Sequence, residues 1–321
     1  MPRAKADAKV VVVMPARNAA RTLDHGVTTV RDLGGRGDSV IQVARGVERG
    51  LLAGPRILAA GRALTITGGH GHQIGFAREV DGPEGLRRAV REEIRAGATA
   101  IKLVATGGVL TPGITYDFTA FTQEELDAAV DEAHSWSRVV GAHAIGPEGI
   151  VRAIRAGVDS IEHGSMLSAE GARLMKERGT FHVPTISAIR GIVDHAEEVP
   201  AYAVEKATAL VEFARDGFRR SLRTGVRIAC GTDAGTPFNP HGNTLAEIVR
   251  MVEWGMTPLQ AMRSATSNAA ALLRLPDVGV VAEGAAADLV LFGSNPLEDI
   301  RAVLEPALVI KDGELVAGSM P

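Results

Sequence analysis

The sequence is poor in cysteine, aromatic residues and net charge, and each shortage excludes a class of protein. One cysteine, Cys230, among 321 residues allows no disulfide within the chain, which fits a reducing, cytoplasmic compartment. Aromatic residues make up 4% and the net charge is -3, so there is no basic surface and no stacking platform for nucleic acid. No apolar run is long enough to span a bilayer. The composition predicts a globular protein without nucleic-acid or membrane partners.

Short β-branched runs alternate with longer helical patterns, which predicts repeated βα units around a parallel sheet. Eight such units close most naturally into an α/β barrel of the TIM type, (β/α)8. Glycines directly before a strand predict helix C-caps at Gly97, Gly157 and Gly225. The predicted strands are Val10 to Met14, Val27 to Asp32, Arg56 to Ala60, Thr99 to Ala105, Val139 to Ala144, Val158 to His163, Thr180 to Thr185 and Val226 to Thr232, and the predicted helices include Pro83 to Ala96, Thr122 to Arg138, Pro147 to Ala156 and Ala201 to Thr224.

After residue 257 the pattern changes to two helical stretches followed by short strands. The segments VVAEGAAADLVLF and ALVIKDGELVAG read as strands, and the Asp-Gly pair in the second predicts a hairpin. We therefore divide the chain into a barrel, residues 1–257, and closing helices with an incomplete small β-sandwich, residues 258–321. Without further partner strands, Val278 to Phe292 and Ala307 to Val316 would leave a partly apolar edge, which favours homo-oligomers.

Ionisable residues lie in or directly after four of the predicted strands. Lys102 interrupts the apolar run AIKLVA, His143 and His163 lie at the ends of the next two strands, and Asp233 follows the last. Taken singly, a strand-end histidine is usually a structural residue, and an Asp before Ala-Gly is typical of a turn. The carboxyl face of a parallel barrel is, however, where active sites are built. Imidazoles and carboxylates that converge there predict a divalent-metal site.

Several segments in the same order resemble the metal-dependent amidohydrolase superfamily: VTTVRDLGG, GPRILAAGRALTITGGHGH, AIKLVATGGV, GAHAIGPEGI, AGVDSIEHGS, IACGTDAG and AADLVLFGSNPLEDI. The resemblance covers roughly residues 20 to 318 and is nearest to imidazolonepropionase-like and Xaa-Pro-dipeptidase-like hydrolases. It implies a hydrolase of carbon–nitrogen bonds in a small-molecule amide, peptide or cyclic amide.

The resemblance also implies roles for four residues. Lys102 would be carboxylated by carbon dioxide and bridge two metal ions, with zinc as the expected metal. His143 and His163 would bind the second ion, and Asp233 would bind metal and handle the proton of the attacking water. A carbamate would explain a buried lysine, because it is an anionic ligand held by metal rather than a bare ammonium. The alternative is that Lys102 remains an ammonium and that its long side chain extends to solvent at the barrel mouth.

The first barrel strand of these hydrolases ends in His-x-His, and this chain has no counterpart there. The first histidine is His25, in LDHGVTTV, and deletion, a wrong start site or recombination would account for the difference. We therefore expect about one zinc-like ion per chain. Two ions would bind if His70 and His72, which have His-x-His spacing, replaced the missing histidines of the first strand. Their segment resembles a substrate loop, so we predict substrate contacts for His70 and His72. We also predict them for Tyr116 and His241, which follow the fourth and eighth predicted strands.

Three functions remain open from the sequence. The first is a metal-dependent hydrolase with Asp233 as proton shuttle. The second is a truncated or non-catalytic relative with an incomplete metal centre. The third is a Schiff-base barrel enzyme that uses Lys102 as nucleophile. The hydrolase ranks first, because His143, His163 and Asp233 have no evident task in Schiff-base chemistry.

Overall fold

The computed structural model describes residues 8–319, with side chains from residue 13 onward. Within that range eleven α-helices and eleven strands follow one another in α/β order, with short 3-10 turns at His72–Ile74, Ala196–Glu198 and Ile300–Leu304. The helices are α1 (Ala8–Asp24), α2 (Ser39–Glu48), α3 (Pro83–Ala96), α4 (Gln123–Ser135), α5 (Pro147–Ala156), α6 (Ala169–Arg178), α7 (Ile186–Asp194), α8 (Ala201–Thr224), α9 (Thr244–Glu253), α10 (Pro258–Ala265) and α11 (Ser267–Leu273). The strands are β1 (Thr29–Asp32), β2 (Arg56–Ala59), β3 (Ala63–Thr65), β4 (Ala77–Glu79), β5 (Ala100–Val104), β6 (Val139–Ala144), β7 (Ser160–His163), β8 (Phe181–Val183), β9 (Leu289–Phe292), β10 (Pro306–Lys311) and β11 (Glu314–Gly318).

The helices agree closely with the sequence pattern. The bounds predicted for α3, α5 and α8 are confirmed. The predicted C-caps are confirmed too: Gly97, Gly157 and Gly225 have φ values of 114°, 96° and 77°, a region that glycine enters without a Cβ penalty. At the start of α4, Thr122 accepts a hydrogen bond from the Glu125 amide and Glu125 reaches back in a capping box. No helix among the described residues is both long and apolar enough to cross a membrane.

The strands β1 to β8 pair only in parallel, in two sheets. One has the order β4-β3-β5-β6-β7-β8, and the other is the pair β1-β2. Every residue of β5 and β6 is buried, as expected for parallel strands covered on both faces. Apolar side chains of the surrounding helices, such as Leu86, Leu126 and Ile154, pack with Ile101 of β5 in the largest part of the core. The packed sheet and helices hold the ends of β5 to β8 in fixed positions.

Two of the eight predicted strands do not form, and both predictions are wrong. Val10 to Met14 belongs to helix α1, which satisfies its backbone internally, whereas a strand needs a hydrogen-bonded neighbour. Val226 to Thr232 forms no strand and makes one isolated bridge, between Ile228 and His182 of β8. The Cys230 amide instead donates a hydrogen bond to the Ser264 carbonyl at 2.9 Å. Because β1 pairs only with β2, backbone hydrogen bonds do not close the barrel predicted for residues 10–233.

Strands β3 and β4 were not predicted, and the tail differs in part from its prediction. Residues 289–292 are the one strand within the predicted strand segment Val278 to Phe292. The hairpin is confirmed: β10 and β11 are antiparallel around Asp312 and Gly313, which have φ values of 52° and 83°. Together with β9 they form a three-stranded antiparallel sheet whose edge strand β11 contacts α1. The predicted boundary after residue 257 stays a prediction.

Candidate active site

A cavity of about 1140 Å³ opens at the carboxyl ends of the barrel strands. The four predicted metal ligands all line it: Lys102 from β5, His143 from β6, His163 from β7 and Asp233 from the segment after Thr232. The strand order brings them together, because β5, β6 and β7 are neighbours in register, with Val104 opposite His143 and Ala144 opposite His163. The structure thus brings the four side chains to one face, and their role as ligands stays a prediction.

The ring of His143 is held in one tautomer. Its Nε2 lies 2.8 Å from the Gly107 carbonyl oxygen, which can only accept, so Nε2 carries the hydrogen. Burial, followed by the neighbouring rings of His163 and His70 and by Lys102, lowers the pKa of His143 well below its usual range. The ring is therefore neutral near pH 7, and its Nδ1 keeps a free lone pair. This is the form in which histidine binds a metal.

The ring of His163 is held in the opposite tautomer. Its Nδ1 lies 2.6 Å from Thr185 Oγ1, and that hydroxyl donates its own hydrogen to the Pro184 carbonyl at 2.8 Å. Nδ1 must therefore be the donor, which leaves the lone pair on Nε2. Burial lowers the pKa of His163 well below its usual range, with Lys102 as the next cause. The centroids of the His143 and His163 rings are 4.6 Å apart with 69° between the ring planes, so two neutral imidazoles meet edge to face.

Lys102 is 7% exposed and belongs to a buried cluster of charges. Burial lowers the pKa of its amine, while the charges of Glu162 and Asp233 act in the opposite direction. Glu162 is itself paired: Arg31 Nη2 donates to its Oε1 at 2.9 Å, and the Ser160 hydroxyl donates to the same oxygen at 2.5 Å. With Glu162 shared among these donors, the desolvated Lys102 holds its proton less tightly than an ordinary lysine.

Asp233 has a strained backbone, and although protein atoms surround its carboxyl group, the residue is exposed to the open cavity that it lines. Its φ of 56° is unusual for a residue other than glycine. The side-chain amide of Asn239 donates to the carbonyl oxygens of Thr232 and Asp233 at 2.7 and 3.0 Å and so holds this bend. Burial raises the pKa of the Asp233 carboxyl, Lys102 lowers it, and the carboxylates of Glu162 and Asp32 raise it further. Asp233 is therefore a stronger base than an exposed aspartate.

The four predicted substrate residues are placed differently. His70 is buried in the cavity, and its ring centroid lies 4.8 Å from that of His143. His72 is not among the residues that line the cavity, and its Nδ1 lies 2.7 Å from the Gly69 carbonyl oxygen. The segment is not extended, since Gly71 has a φ of 89° and a 3-10 turn begins at His72, so the two rings do not point the same way. His241 lines the cavity, whereas Tyr116 packs against a neighbouring apolar cluster.

The donor types suit a divalent ion, whereas their grouping in the structure does not. No group of three or more His, Cys, Asp or Glu side chains in the described range is arranged to hold a metal. His143 and His163 offer two lone pairs, Asp233 offers a carboxylate, and a carboxylated Lys102 would add oxygen donors. Nitrogen and oxygen donors of this kind suit zinc. Lys102 is the one donor of the four that chemical modification must create, and His143, His163 and Asp233 must come closer together to hold an ion.

Sequence reasoning missed four residues that shape the site. Asp32 ends β1, lines the cavity and has a pKa raised by burial, and Glu162 precedes His163 and pairs with Arg31. Their strand-end positions were a usable signal. Thr185 and His182 hold the ring and the main chain of His163 respectively. No local pattern marks those two, because their partners are 22 and 19 residues away in the chain.

Parallel βα units with histidine, lysine and aspartate side chains at the carboxyl ends of their strands are typical of enzymes of the TIM-barrel type. The chain belongs to the amidohydrolase family, whose model matches residues 6–316. Membership confirms the predicted fold and the predicted class, a metal-dependent hydrolase of carbon–nitrogen bonds with a small-molecule substrate.

Individual relatives agree with this assignment. Ochratoxinase of Aspergillus niger is 37% identical over 333 aligned positions, which cover 94% of this chain and 68% of the relative. A crystal structure of a Xaa-Pro dipeptidase with methionine bound in its active site is 39% identical, with a TM-score of 0.92 over 98% of this chain and 81% of the other. The crystal structure of A. niger ochratoxinase has a TM-score of 0.90 at 34% identity, over 98% and 77% of the two chains.

Proposed function

We propose that the chain hydrolyses amide, peptide or cyclic-amide bonds with about one zinc ion held by Lys102, His143, His163 and Asp233. The observation that carries the proposal is the pair of opposite tautomers. The Gly107 carbonyl fixes one ring and the Thr185 hydroxyl fixes the other, which leaves one lone pair on each of two adjacent neutral imidazoles. When bound, the ion supplies polarisation of the substrate carbonyl and acidifies water.

Lys102 joins the ligand set as a carbamate. Its neutral amine attacks the carbon of carbon dioxide: a nitrogen–carbon bond forms, the electron pair of one carbon–oxygen π bond moves onto that oxygen, and a proton passes from the nitrogen to water. Burial supports this step, since the lowered pKa of Lys102 increases the neutral fraction that can react. The product is an anion in place of a cation, so a metal ion and the Arg31 guanidinium would both favour it.

Asp233 moves the proton. Its carboxylate accepts a proton from the attacking water and then delivers it to the leaving nitrogen, so that the amine departs neutral. The raised pKa of the carboxyl suits both halves of this transfer, because a base and its conjugate acid work best near the ambient pH.

The substrate we propose is a dipeptide or an N-acylated amino acid with an apolar part. Two of the relatives are a Xaa-Pro dipeptidase and an ochratoxinase. Apolar side chains line the cavity beside the histidines, among them Val109, Leu110, Ile189 and Ile192. The imidazole of His241 is a polar group in the same lining that can contact the substrate.

A Schiff-base enzyme is the second candidate, because a lysine with a lowered pKa also suits nucleophilic attack on a carbonyl. Borohydride would trap such an adduct at Lys102 in the presence of a carbonyl substrate. The hydrolase is favoured, since the fixed lone pairs of His143 and His163 have no part in that chemistry.

The test is metal analysis and hydrolysis by protein purified with zinc and bicarbonate, on a panel of Xaa-Pro dipeptides and N-acyl amino acids. Asp233→Asn should lower kcat by about 10²- to 10⁴-fold, with bound substrate still detectable by calorimetry. Asp216→Asn, an exposed change on α8, serves as the control and should leave turnover unchanged. Full turnover by Asp233→Asn would contradict the proposed role of Asp233 in proton transfer. A wild-type protein with neither bound metal nor turnover would contradict the proposed hydrolase.

A further inference from the structure

The loop after β5, residues 107–115 (the β5 loop), contacts both His143 and His70 at the mouth of the cavity. The Gly107 carbonyl accepts the Nε2 hydrogen of His143, and Thr111 Oγ1 lies 2.7 Å from His70 Nδ1. The loop also rests against the His70 ring, since a Cβ added at Gly108 would lie 2.5 Å from His70 Nε2. The loop therefore sets the orientation of two imidazoles.

The β5 loop has little internal structure to hold this shape. It reads GGVLTPGIT and contains neither helix nor strand. Its three glycines allow the backbone several conformations, and Pro112 restricts φ only at its own position. The start of the loop is held by the Gly107 amide, which donates to the Phe118 carbonyl at 2.8 Å, and by the Thr106 hydroxyl, which donates to the Gly107 carbonyl at 2.9 Å. The rest of the loop, from Gly108 to Ile114, needs a further anchor.

Lys206 of α8 supplies that anchor. Its Nζ donates to the carbonyl oxygens of Ile114 at 2.6 Å, Thr111 at 2.7 Å and Gly108 at 3.3 Å. An ammonium has three N–H groups and no acceptor, so three converging carbonyls use its full donor capacity. One turn earlier on the same face of α8, the Tyr202 hydroxyl donates to the Leu110 carbonyl at 3.2 Å.

We propose that Lys206 is a positioning residue for the catalytic site: its ammonium fixes the β5 loop, and the loop fixes the rings of His143 and His70. Lys206 makes no hydrogen bond to either ring and acts on their orientation through the main chain; its charge also adds to burial in lowering the pKa of His70. Groups that orient a metal-binding histidine through its second nitrogen are the kind of support on which such sites depend. The catalytic consequence rests on the proposed function, whereas the effect on the loop and the rings does not.

Lys206→Met tests the proposal, because methionine fills similar space and has no donor. We expect kcat/KM to fall about 10- to 100-fold, with most of the loss in kcat. Amide hydrogen exchange in the β5 loop should become faster. Nitrogen NMR of His143 should change from the single Nε2–H tautomer to a mixture. The melting temperature should change little, since Lys206 is only half-buried and bonds a surface loop.

Three further variants separate geometry from charge and from general stability. Lys206→Arg keeps the charge, but a planar guanidinium cannot aim three N–H groups at carbonyls that converge on one nitrogen, so it should restore activity only in part. Thr111→Val removes the hydroxyl beside His70 and keeps the Thr111 carbonyl, so it should disturb His70 and leave the His143 tautomer intact. Lys176→Met, an exposed lysine on α6, should match the wild type in every measurement.

The tautomer and exchange measurements decide the outcome even if the wild type hydrolyses no substrate in the panel. Unchanged loop exchange and an unchanged His143 tautomer in Lys206→Met would overturn the proposal. If that variant does not fold, Lys206→Arg and Tyr202→Phe carry the test. Both should then show loop exchange faster than the wild type, and wild-type exchange in both would overturn the proposal.

Discussion

The ring of His182 holds the main chain of His163. Its Nε2 donates to the His163 carbonyl oxygen at 2.9 Å, and its Nδ1 accepts from the Ser221 hydroxyl at 2.8 Å. His182 is fully buried, and burial lowers its pKa, so the ring is neutral with one donor and one acceptor. The bond supports a His163 backbone with a φ of 70°, a strained value for histidine.

Replacing His182 with phenylalanine should therefore affect both stability and turnover. The His163 carbonyl and the Ser221 hydroxyl would lose these partners inside the protein, and we expect a loss of about 2–4 kcal/mol in unfolding free energy. Urea unfolding and kcat measure the two effects. His25→Phe, an exposed change, should stay within about 0.5 kcal/mol of the wild type. Wild-type stability in His182→Phe would show that this bond does not support His163.

The sequence was sufficient to predict the centre of the fold and the four residues of the candidate site. Strand β6 and the position of His143 depend on a local pattern, an apolar run that ends in a polar residue. The valines of Val10 to Met14 suit a strand locally, yet the outcome depends on whether a neighbouring strand is present. Likewise, Glu247 contacts Ile186, 61 residues away, and only the folded structure shows that pairing.

Glu247 should make the stability of the protein depend on pH between about 4.5 and 6. Its fully buried carboxylate accepts from the Ile186 and Ser187 amides at 2.7 and 2.8 Å at the start of α7, directly after Thr185. Burial raises its pKa from 4.5 to about 6 against the effect of these bonds. A raised pKa means that the folded state binds the proton more tightly. The contribution to stability is therefore complete below pH 4.5 and is lost as the pH rises through 6.

Glu247→Gln removes this titration. The unfolding free energy of the wild type minus that of Glu247→Gln should fall by about 2 kcal/mol as the pH rises across that window, since each pKa unit corresponds to about 1.4 kcal/mol. Guanidinium unfolding at a series of pH values measures it. Glu253→Gln, an exposed change at the end of the same helix, should give a difference that does not vary with pH. A constant difference for Glu247→Gln would contradict the prediction.

The C-terminal sheet should cause self-association through its β9 edge. In the described structure β9 pairs only with β10, and Leu291 of β9 is 44% exposed. An unpaired edge beside apolar side chains is a site for pairing with another copy. We expect sedimentation to show oligomers that dissociate in Leu291→Lys, because an edge lysine opposes pairing. A wild type that sediments as a monomer without binding an exposed-surface dye would contradict this prediction.

Lys102 should make bicarbonate and zinc act together. Burial lowers the pKa of its amine, so a larger neutral fraction can add carbon dioxide. Protein incubated with ¹³C-labelled bicarbonate should give a carbamate carbon signal that Lys102→Gln lacks, and Lys176→Gln should keep it. Zinc should strengthen the signal, since a ligand that binds only the carboxylated form shifts the equilibrium toward it.

Removing zinc or bicarbonate should lower the rate of hydrolysis, and restoring only one of the two should leave the rate low. We expect chelation followed by bicarbonate-free dialysis to abolish turnover, and zinc with bicarbonate to restore it. Lys102→Gln should not recover under the same treatment, because it has no amine to carboxylate. Turnover that survives without bicarbonate, in protein with no carbamate signal, would mean that Lys102 acts as an amine, and borohydride trapping would then identify it as a Schiff-base nucleophile.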